Sequence, residues 1–300
     1  MSYKKIIVFT LLLITNFLVS NLYLYAGVGT TGGVIFLQPV GARASSMGEA
    51  YTTAEEDVLG IYYNPASTAR LKNKQVSILY QTGLIDDSFG IVSLGLPFSF
   101  GTLSLSLIYY TAGKIELIDL QGNEKTVDAQ TDLLTTISYS KQLGKFCVGT
   151  NLKVLNSTLV GEITTASFAV DIGGSYKILE KLKVGLSIQN LGGVIKYDKE
   201  SDILPLTMRL GVAYNLVDSL LLAADIVKIS NDDKLKQQIG VEYVFKNLFA
   251  IRTGYKIGYD VDNLSIGFGL NYGMFSFDYA FVPYGELGST SHRVSFMINF

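Results

Sequence analysis

The stretch SHRVSFMINF, residues 291–300, decides the fold. Its apolar residues alternate with polar ones and reach the last position of the chain: Val294, Phe296, Ile298 and Phe300. A membrane barrel must pair its last strand with its first, because lipid offers no partner to an unpaired strand edge. The stretch therefore predicts the closing strand of an outer-membrane β-barrel, with Phe296 and Phe300 as the signal that the barrel assembly machinery recognises.

The first 26 residues have the features of a secretory signal peptide. Lys4 and Lys5 precede an apolar run over residues 6–19, and small residues suited to cleavage follow at Ala26-Gly27. A transmembrane anchor is the alternative. Polar residues interrupt the run, however, and it is short for the roughly 20 apolar residues that a spanning helix needs. We therefore expect residues 1–26 to be removed.

The composition favours a barrel and argues against several other classes. Apolar residues make up 48% of the chain, yet after residue 26 they are dispersed in short alternating stretches, as in barrel strands. A net charge of −2 gives no electrostatic basis for binding nucleic acid. The single cysteine, Cys147, permits no intrachain disulfide. A secreted soluble β-sandwich remains as the alternative, because it predicts the same alternation.

Fourteen segments with a period of two begin at Gln75. Their lengths near ten residues match tilted membrane strands, and an even number is what a single-chain bacterial barrel requires. The sequence therefore predicts an all-β fold, a transmembrane antiparallel β-barrel of about 14 strands over residues 75–300. The predicted strands cover residues 75–81, 89–97, 101–112, 132–143, 146–160, 167–178, 182–193, 204–217, 219–228, 234–245, 248–258, 264–273, 274–284 and 291–300.

Tight connections alternate with longer ones between these segments. Residues 143–145, 179–181 and 246–247 suit hairpin turns, which such a barrel places on its periplasmic side. Longer charged connections, such as residues 114–131 and 196–203, are then expected to face outward.

Many of the predicted strands carry a charge on the face that also holds small and polar residues. On the lipid face, an Arg or Lys at mid-membrane would cost about 2–4 kcal/mol. We therefore expect these charges to point into the lumen. Mutual pairing of opposite signs is favoured there over the alternative, a selective ligand site. The residues are Lys153, Asp171, Lys183, Arg209, Asp225, Glu242, Arg252 and Asp278.

Residues 27–74 do not fit a strand pattern. Small residues and helix formers dominate the middle of this segment, and Asn64-Pro65 marks a turn. Wide barrels are either water-filled or filled by protein. The segment is therefore predicted to occupy the lumen as a hatch.

Four motifs in this segment resemble the N-terminal signature of the PorV/PorQ family, within the FadL-like outer-membrane superfamily. The resemblance implies a fourteen-stranded barrel with an N-terminal hatch, in the outer membrane of a diderm bacterium. The hatch residues that it singles out as ligand candidates are Arg43, Met47, Gly48, Asn64 and Pro65. The motifs are Gly41-Ala42-Arg43-Ala44, Met47-Gly48-Glu49-Ala50, Glu55-Glu56-Asp57 and Tyr63-Asn64-Pro65-Ala66.

The resemblance also implies a function. FadL-like members take up long-chain fatty acids or other hydrophobic compounds. The alternatives are a PorV-like component of type IX secretion, which handles secreted cargo, and a structural outer-membrane protein. The expected partners are outer-membrane lipid, the barrel assembly machinery, and a hydrophobic small-molecule ligand or secretion partners. An amphipathic substrate would leave through the barrel wall, for which Gly173-Gly174 and Gly192-Gly193 are candidates, although such doublets are more often bulges or turns.

Motifs for catalysis and cofactor binding lack their structural context. Residues 27–32 match GxGxxG, but no strand precedes them. Residues 138–141 match SxxK at the end of a strand, without supporting motifs. A Ser-His-Asp triad or a histidine metal site would depend on His292, the single histidine. We therefore expect no enzyme activity, no metal and no cofactor.

Overall fold

Fourteen antiparallel strands form a closed barrel in which neighbours along the wall are hydrogen-bonded, and the last strand pairs with the first. The predicted strand count is confirmed, and the predicted bounds differ by a few residues. The strands of the wall, numbered in chain order with two hairpins described below, are β1 (Gln75–Thr82), β2 (Ser88–Phe98), β3 (Gly101–Thr111), β6 (Gln130–Leu143), β7 (Phe146–Leu159), β8 (Ile163–Leu179), β9 (Leu182–Leu191), β12 (Thr207–Val217), β13 (Leu220–Ile229), β14 (Lys236–Phe245), β15 (Phe249–Ile257), β16 (Leu264–Tyr272), β17 (Phe275–Tyr284) and β18 (Ser289–Asn299).

The structure is a computed structural model that describes residues 32–300, apart from 55, 83–86, 119–121, 198–199, 231 and 286–287. The predicted signal peptide, residues 1–26, and the first part of the predicted hatch, residues 27–31, lie outside the described residues. Within the described part of the chain, no helix is long and apolar enough to cross a membrane.

The alternation of each strand gives the barrel an apolar outer face and a mostly polar interior. In β16, for example, Leu264 and Ile266 are exposed on the outside, while Ser265 between them is buried inside. Exposed apolar side chains are stable on this surface only if lipid covers it.

The connections differ between the two ends of the barrel. Short turns, such as residues 144–145 and 273–274, lie at one end, which we call the turn end. The backbone of Phe300 pairs there with Lys74, just before β1. The longer connections lie at the opposite end, the loop end. One loop-end connection, residues 160–162, is short because β7 and β8 extend to 14 and 17 residues.

Two of the long connections form β-hairpins of their own. The first pairs β4 (Lys114–Ile118) with β5 (Glu124–Asp128), and the second pairs β10 (Val194–Tyr197) with β11 (Glu200–Ile203). Within the connection expected to face outward, residues 196–203, Lys196, Ser201 and Ile203 are exposed. The residues on either side of it, Ile195 and Leu204, are buried in the apolar cluster of the barrel interior.

The N-terminal part of the described chain lies inside the barrel. It contains 3-10 helices over Val34–Leu37, Val58–Tyr62 and Pro65–Thr68, and a short α-helix, α1 (Ala42–Ser46). Its hydrogen bonds reach opposite parts of the wall. The Ala42 N–H donates to Ser295 Oγ of β18 at 2.8 Å, and the Ile61 carbonyl accepts from Asn151 of β7 at 2.9 Å. We call residues 32–74 the luminal segment.

Deleting Phe300 is expected to reduce the yield of assembled barrel several-fold. The two backbone hydrogen bonds between Phe300 and Lys74, at 2.9 and 3.0 Å, extend the pairing of β18 with β1 beyond the strand ends. The deletion removes them together with the terminal aromatic ring. The heat-modifiable band of membrane fractions on electrophoresis measures the yield. Phe300→Tyr, which keeps both features, is the control. A normal yield from the deletion variant would contradict this role of the terminal residue.

Candidate functional site

A chain of charged side chains, all buried or partly buried, connects the luminal segment to the wall at β14, β15 and β17. Arg43 of α1 donates to both carboxylate oxygens of Glu242, at 2.8 and 2.7 Å. Arg252 donates to the same carboxylate at 2.5 Å and to Asp278 at 2.6 Å. Such bidentate, charge-assisted hydrogen bonds fix geometry as well as charge. They therefore hold α1 at one position on the wall.

Asp225 of β13 holds the chain that follows α1. One of its carboxylate oxygens accepts from the backbone N–H groups of Tyr51 and Thr52, each at 2.9 Å. The same oxygen accepts from the Thr52 hydroxyl at 2.6 Å. Arg209 lies at 3.5 Å and also donates to the Glu49 carbonyl at 2.8 Å. One buried carboxylate thus organises a whole turn of the luminal segment.

A third charged contact lies beside this one. The Lys256 ammonium of β15 donates to Glu49 at 2.6 Å. Burial opposes the charged form of Glu49, but Lys256, with Arg293 and Arg209 nearby, outweighs burial and lowers the pKa of the Glu49 carboxyl. The carboxylate is therefore charged at neutral pH and keeps the pair intact.

The structure places all the strand charges singled out from the sequence on the inner face. Lys153 and Asp171 pair at 2.7 Å on neighbouring strands, away from the luminal charge chain. Asn190 donates its backbone N–H to Asp171 at 2.8 Å, at an irregularity in the β8–β9 pairing. Lys183 lines a cavity at the turn end. The remaining members, Arg209, Asp225, Glu242, Arg252 and Asp278, belong to the contacts described above.

The luminal segment approaches the wall most closely at α1 and at Asn64-Pro65. A Cβ atom added at Gly254 would lie 1.9 Å from the Gly48 nitrogen, so that only glycine fits there. Met47, next to Gly48, is buried against Gly240. Asn64 Nδ2 donates to the Gly174 carbonyl at 3.0 Å.

Pro65 begins a 3-10 helix for which Asn64 is the N-cap, as the turn signal indicated. Pro65 packs against Gly149 and Gly173, at which a Cβ atom would meet its atoms at 2.4 and 2.8 Å. The glycine doublets do not open the wall in this structure. Gly173 and Gly174 are paired with both β7 and β9, and Gly192 lies in the turn after β9.

Two rows of inward side chains cross the opposite part of the wall, β1 to β7. Toward the loop end, five aliphatic residues stand side by side in the strand register, and each is at most 2% exposed. Next to them, toward the turn end, lies a row of hydroxyl groups. The aliphatic row is Leu79, Ile91, Ile108, Leu134 and Leu155, and the hydroxyl row is Ser77, Ser93, Ser106 and Thr136.

Among the described residues, the luminal segment borders cavities at both ends of the barrel. Two lie at the turn end on either side of the Arg43–Glu242 pair, with volumes of about 270 and 280 Å³. Their walls are rich in charged and polar groups. A third, of about 110 Å³, lies toward the loop end and is lined by Phe36, Tyr62 and Arg209, among others.

The family model described as "Type IX secretion system protein PorV" matches residues 26–231. The chain belongs to the PorV family. The resemblance found in the N-terminal motifs is therefore confirmed. Among curated proteins, no relative of this PorV-family chain was found.

Solved structures share the fold of this PorV-family protein. The toluene transporter TbuX of Ralstonia pickettii is 12% identical, with 87% of this chain and 98% of that chain covered and a TM-score of 0.64. The toluene transporter TodX of Pseudomonas putida is 11% identical, with 92% and 99% covered and a TM-score of 0.62. A Pseudomonas aeruginosa FadL homologue is 11% identical, with 87% and 98% covered and a TM-score of 0.52. The PorV-family chain is thus an outer-membrane β-barrel.

The hatch residues singled out in the PorV-family signature do not share one cavity. Arg43 and Met47 line the first turn-end cavity, whereas Gly48, Asn64 and Pro65 contact the wall. The aliphatic and hydroxyl rows were not predicted from the sequence. Part of their signal was present as serine and threonine residues at alternate positions of two segments, namely Thr102, Ser104 and Ser106, and Thr136, Ser138 and Ser140.

Proposed function

We propose that this barrel is a non-enzymatic channel for the uptake of hydrophobic compounds, long-chain fatty acids among them, with the luminal segment as its closed gate. The aliphatic row carries the proposal. The interior of a water-filled porin is polar, and an apolar constriction excludes water and ions. Five adjacent aliphatic side chains inside the barrel therefore suit a path for apolar molecules that stays closed to polar solutes.

A groove on the outer wall supports an exit into the membrane. It has a volume of about 400 Å³ and is lined mainly by apolar groups of β7, β8 and β9, with Phe146, Ile172 and Leu186 around Gly174. Gly174 contributes no side chain to this surface, and its carbonyl accepts from Asn64 of the luminal segment. Only the Gly174 backbone therefore separates the luminal segment from lipid at this point. Release of the luminal segment would leave a thin wall there.

Filling this groove is expected to reduce uptake several-fold. Gly174→Leu places an isobutyl group in the groove, on the face that meets lipid. Its Cβ atom would lie 3.2 Å from the Cys147 carbonyl oxygen, which a local shift of a few tenths of an ångström relieves, so the variant should still assemble. The matched control is Gly90→Leu, because a Cβ atom at Gly90 meets nothing within 4 Å. Uptake of a fluorescent fatty acid by cells that lack their own transporter is measured for each variant. If the native barrel gave no more uptake than cells without any barrel, the proposed function would be contradicted.

The secretion role is a second candidate, favoured by the match of residues 26–231 to a family described by type IX secretion. In that case the loop end would contact secreted proteins. Chemical cross-linking of cells, followed by isolation of the barrel, tests it. Recovery of the same secreted proteins from independent cultures, absent with a variant lacking the β10–β11 hairpin, would support this candidate over the channel.

A further inference from the structure

Tyr62 of the luminal segment occupies the hydroxyl row. Its phenol donates to Ser106 Oγ at 2.8 Å, and Ser106 is in turn hydrogen-bonded to Ser93. Burial raises the pKa of Tyr62 to about 12, so the phenol is protonated at neutral pH and acts as a donor. An aromatic ring with one hydroxyl group thus reaches the hydroxyl row and packs against the apolar cluster to which the aliphatic row belongs.

Further hydroxyl groups around this position have no hydrogen-bond partner among the described residues. They belong to Ser77, Ser104 and Ser138, which are 0%, 4% and 0% exposed. Ser104 and Ser138 are cross-strand neighbours, one step from the hydroxyl row toward the turn end. A buried polar group without a partner costs about 1–3 kcal/mol. The wall here therefore has more capacity for hydrogen bonds than Tyr62 uses.

Tyr62 also lines the loop-end cavity, so it stands between that cavity and the hydroxyl row. The cavity measures about 110 Å³. The cavity is lined by the charged side chains of Glu49, Arg209 and Lys236, so it suits the phenol hydroxyl of a turned Tyr62 ring, and a small aromatic molecule would take the space that the ring leaves.

We propose that the position of the Tyr62 phenol is a binding site for a small aromatic molecule carrying one hydroxyl group, and that Tyr62 serves as the internal occupant which this ligand displaces. The ring of the ligand lies along the aliphatic row, beside Ile108 and Leu134. Its hydroxyl takes the place of the tyrosine hydroxyl at Ser106. The inference rests on the proposed function and narrows it to one class of hydrophobic compound.

Binding of p-cresol and of toluene to the full chain, purified in detergent, tests the site by isothermal titration calorimetry. The two probes differ by one hydroxyl group. A neutral hydrogen bond is worth about 0.5–1.5 kcal/mol, so p-cresol should bind about threefold to tenfold more tightly than toluene. Ser106→Ala should abolish this preference. Tyr62→Phe removes the hydrogen bond from the Tyr62 phenol to Ser106. It should therefore increase the affinity for both probes by a similar factor.

Tyr110→Phe is the matched control, since Tyr110 lies on the same strand as Ser106 but closer to the loop end. It should leave both affinities unchanged. Equal affinities of the native chain for p-cresol and toluene, or a p-cresol affinity unchanged by Tyr62→Phe, would overturn the proposal. Absence of p-cresol binding in a barrel that still takes up fatty acid overturns this site alone. Binding with the expected preference in a barrel without any uptake supports the site and overturns the channel function.

Discussion

Gly254→Val is expected to displace the end of α1 from the wall and to leave the barrel permeable. A Cβ atom at Gly254 would lie 1.9 Å from the Gly48 nitrogen and 2.2 Å from the Met47 carbonyl carbon. Both are backbone atoms, so no rotamer change relieves the clash. Overpacking costs about 1–3 kcal/mol where side chains can adjust, and more where they cannot. We therefore expect docking of the luminal segment to weaken by at least about 3 kcal/mol, which is more than a hundredfold.

Conductance of single barrels in planar lipid bilayers measures this effect directly. The variant should show frequent open events, and cells that carry it should become sensitive to large polar antibiotics. Gly90→Val is the control, because it adds the same side chain at a position with no neighbour within 4 Å. A closed Gly254→Val barrel with normal assembly would show that contact with β15 does not determine closure.

The second large effect is expected from Asp225→Ala. The substitution leaves the N–H groups of Tyr51 and Thr52, and the Thr52 hydroxyl, without the acceptor that they share. It also removes the carboxylate that faces Arg209. Breaking a buried charged contact by removing one partner costs about 3–5 kcal/mol. The turn after α1 should therefore detach while the barrel wall remains assembled.

Limited proteolysis of the purified barrel measures this detachment. Cleavage within residues 49–54 should be at least a hundredfold faster in Asp225→Ala than in the native chain. Asp225→Asn keeps the shape and one acceptor oxygen, so its cleavage rate should lie between those of the native chain and Asp225→Ala. Equal protection of all three proteins would mean that the other contacts of the segment are sufficient without Asp225.

The barrel could be predicted from sequence because strand alternation and membrane burial impose the same pattern. In β16, the period-two alternation of Leu264 with Ser265 gives both the strand and its two faces. The inner position of Lys153 and Asp171 follows from the same register. Lipid is a uniform solvent on the outer face, so an apolar side chain is expected at each position there.

Inside the barrel, no single residue type is expected at every position. The position of Tyr62 against Ser106 depends on the path of the luminal segment, and no local pattern in the sequence encodes that path. The burial of Ile195 in the β10–β11 hairpin likewise depends on a cluster that unites it with Ile35 and Leu204. The charge pairs were foreseen as a group, but the partner of Glu242 in the luminal segment, Arg43, could not be deduced from spacing.

The luminal segment precedes every barrel strand in the chain, yet its contacts lie far away in sequence. Ala42 hydrogen-bonds to Ser295 across 253 positions, and Gly48 hydrogen-bonds to Ser265 across 217. Contacts this distant form late, because the entropy of closing a long loop opposes them until the intervening chain is ordered. The first described part of the chain to be synthesised therefore cannot complete its native contacts until the last strand is in place.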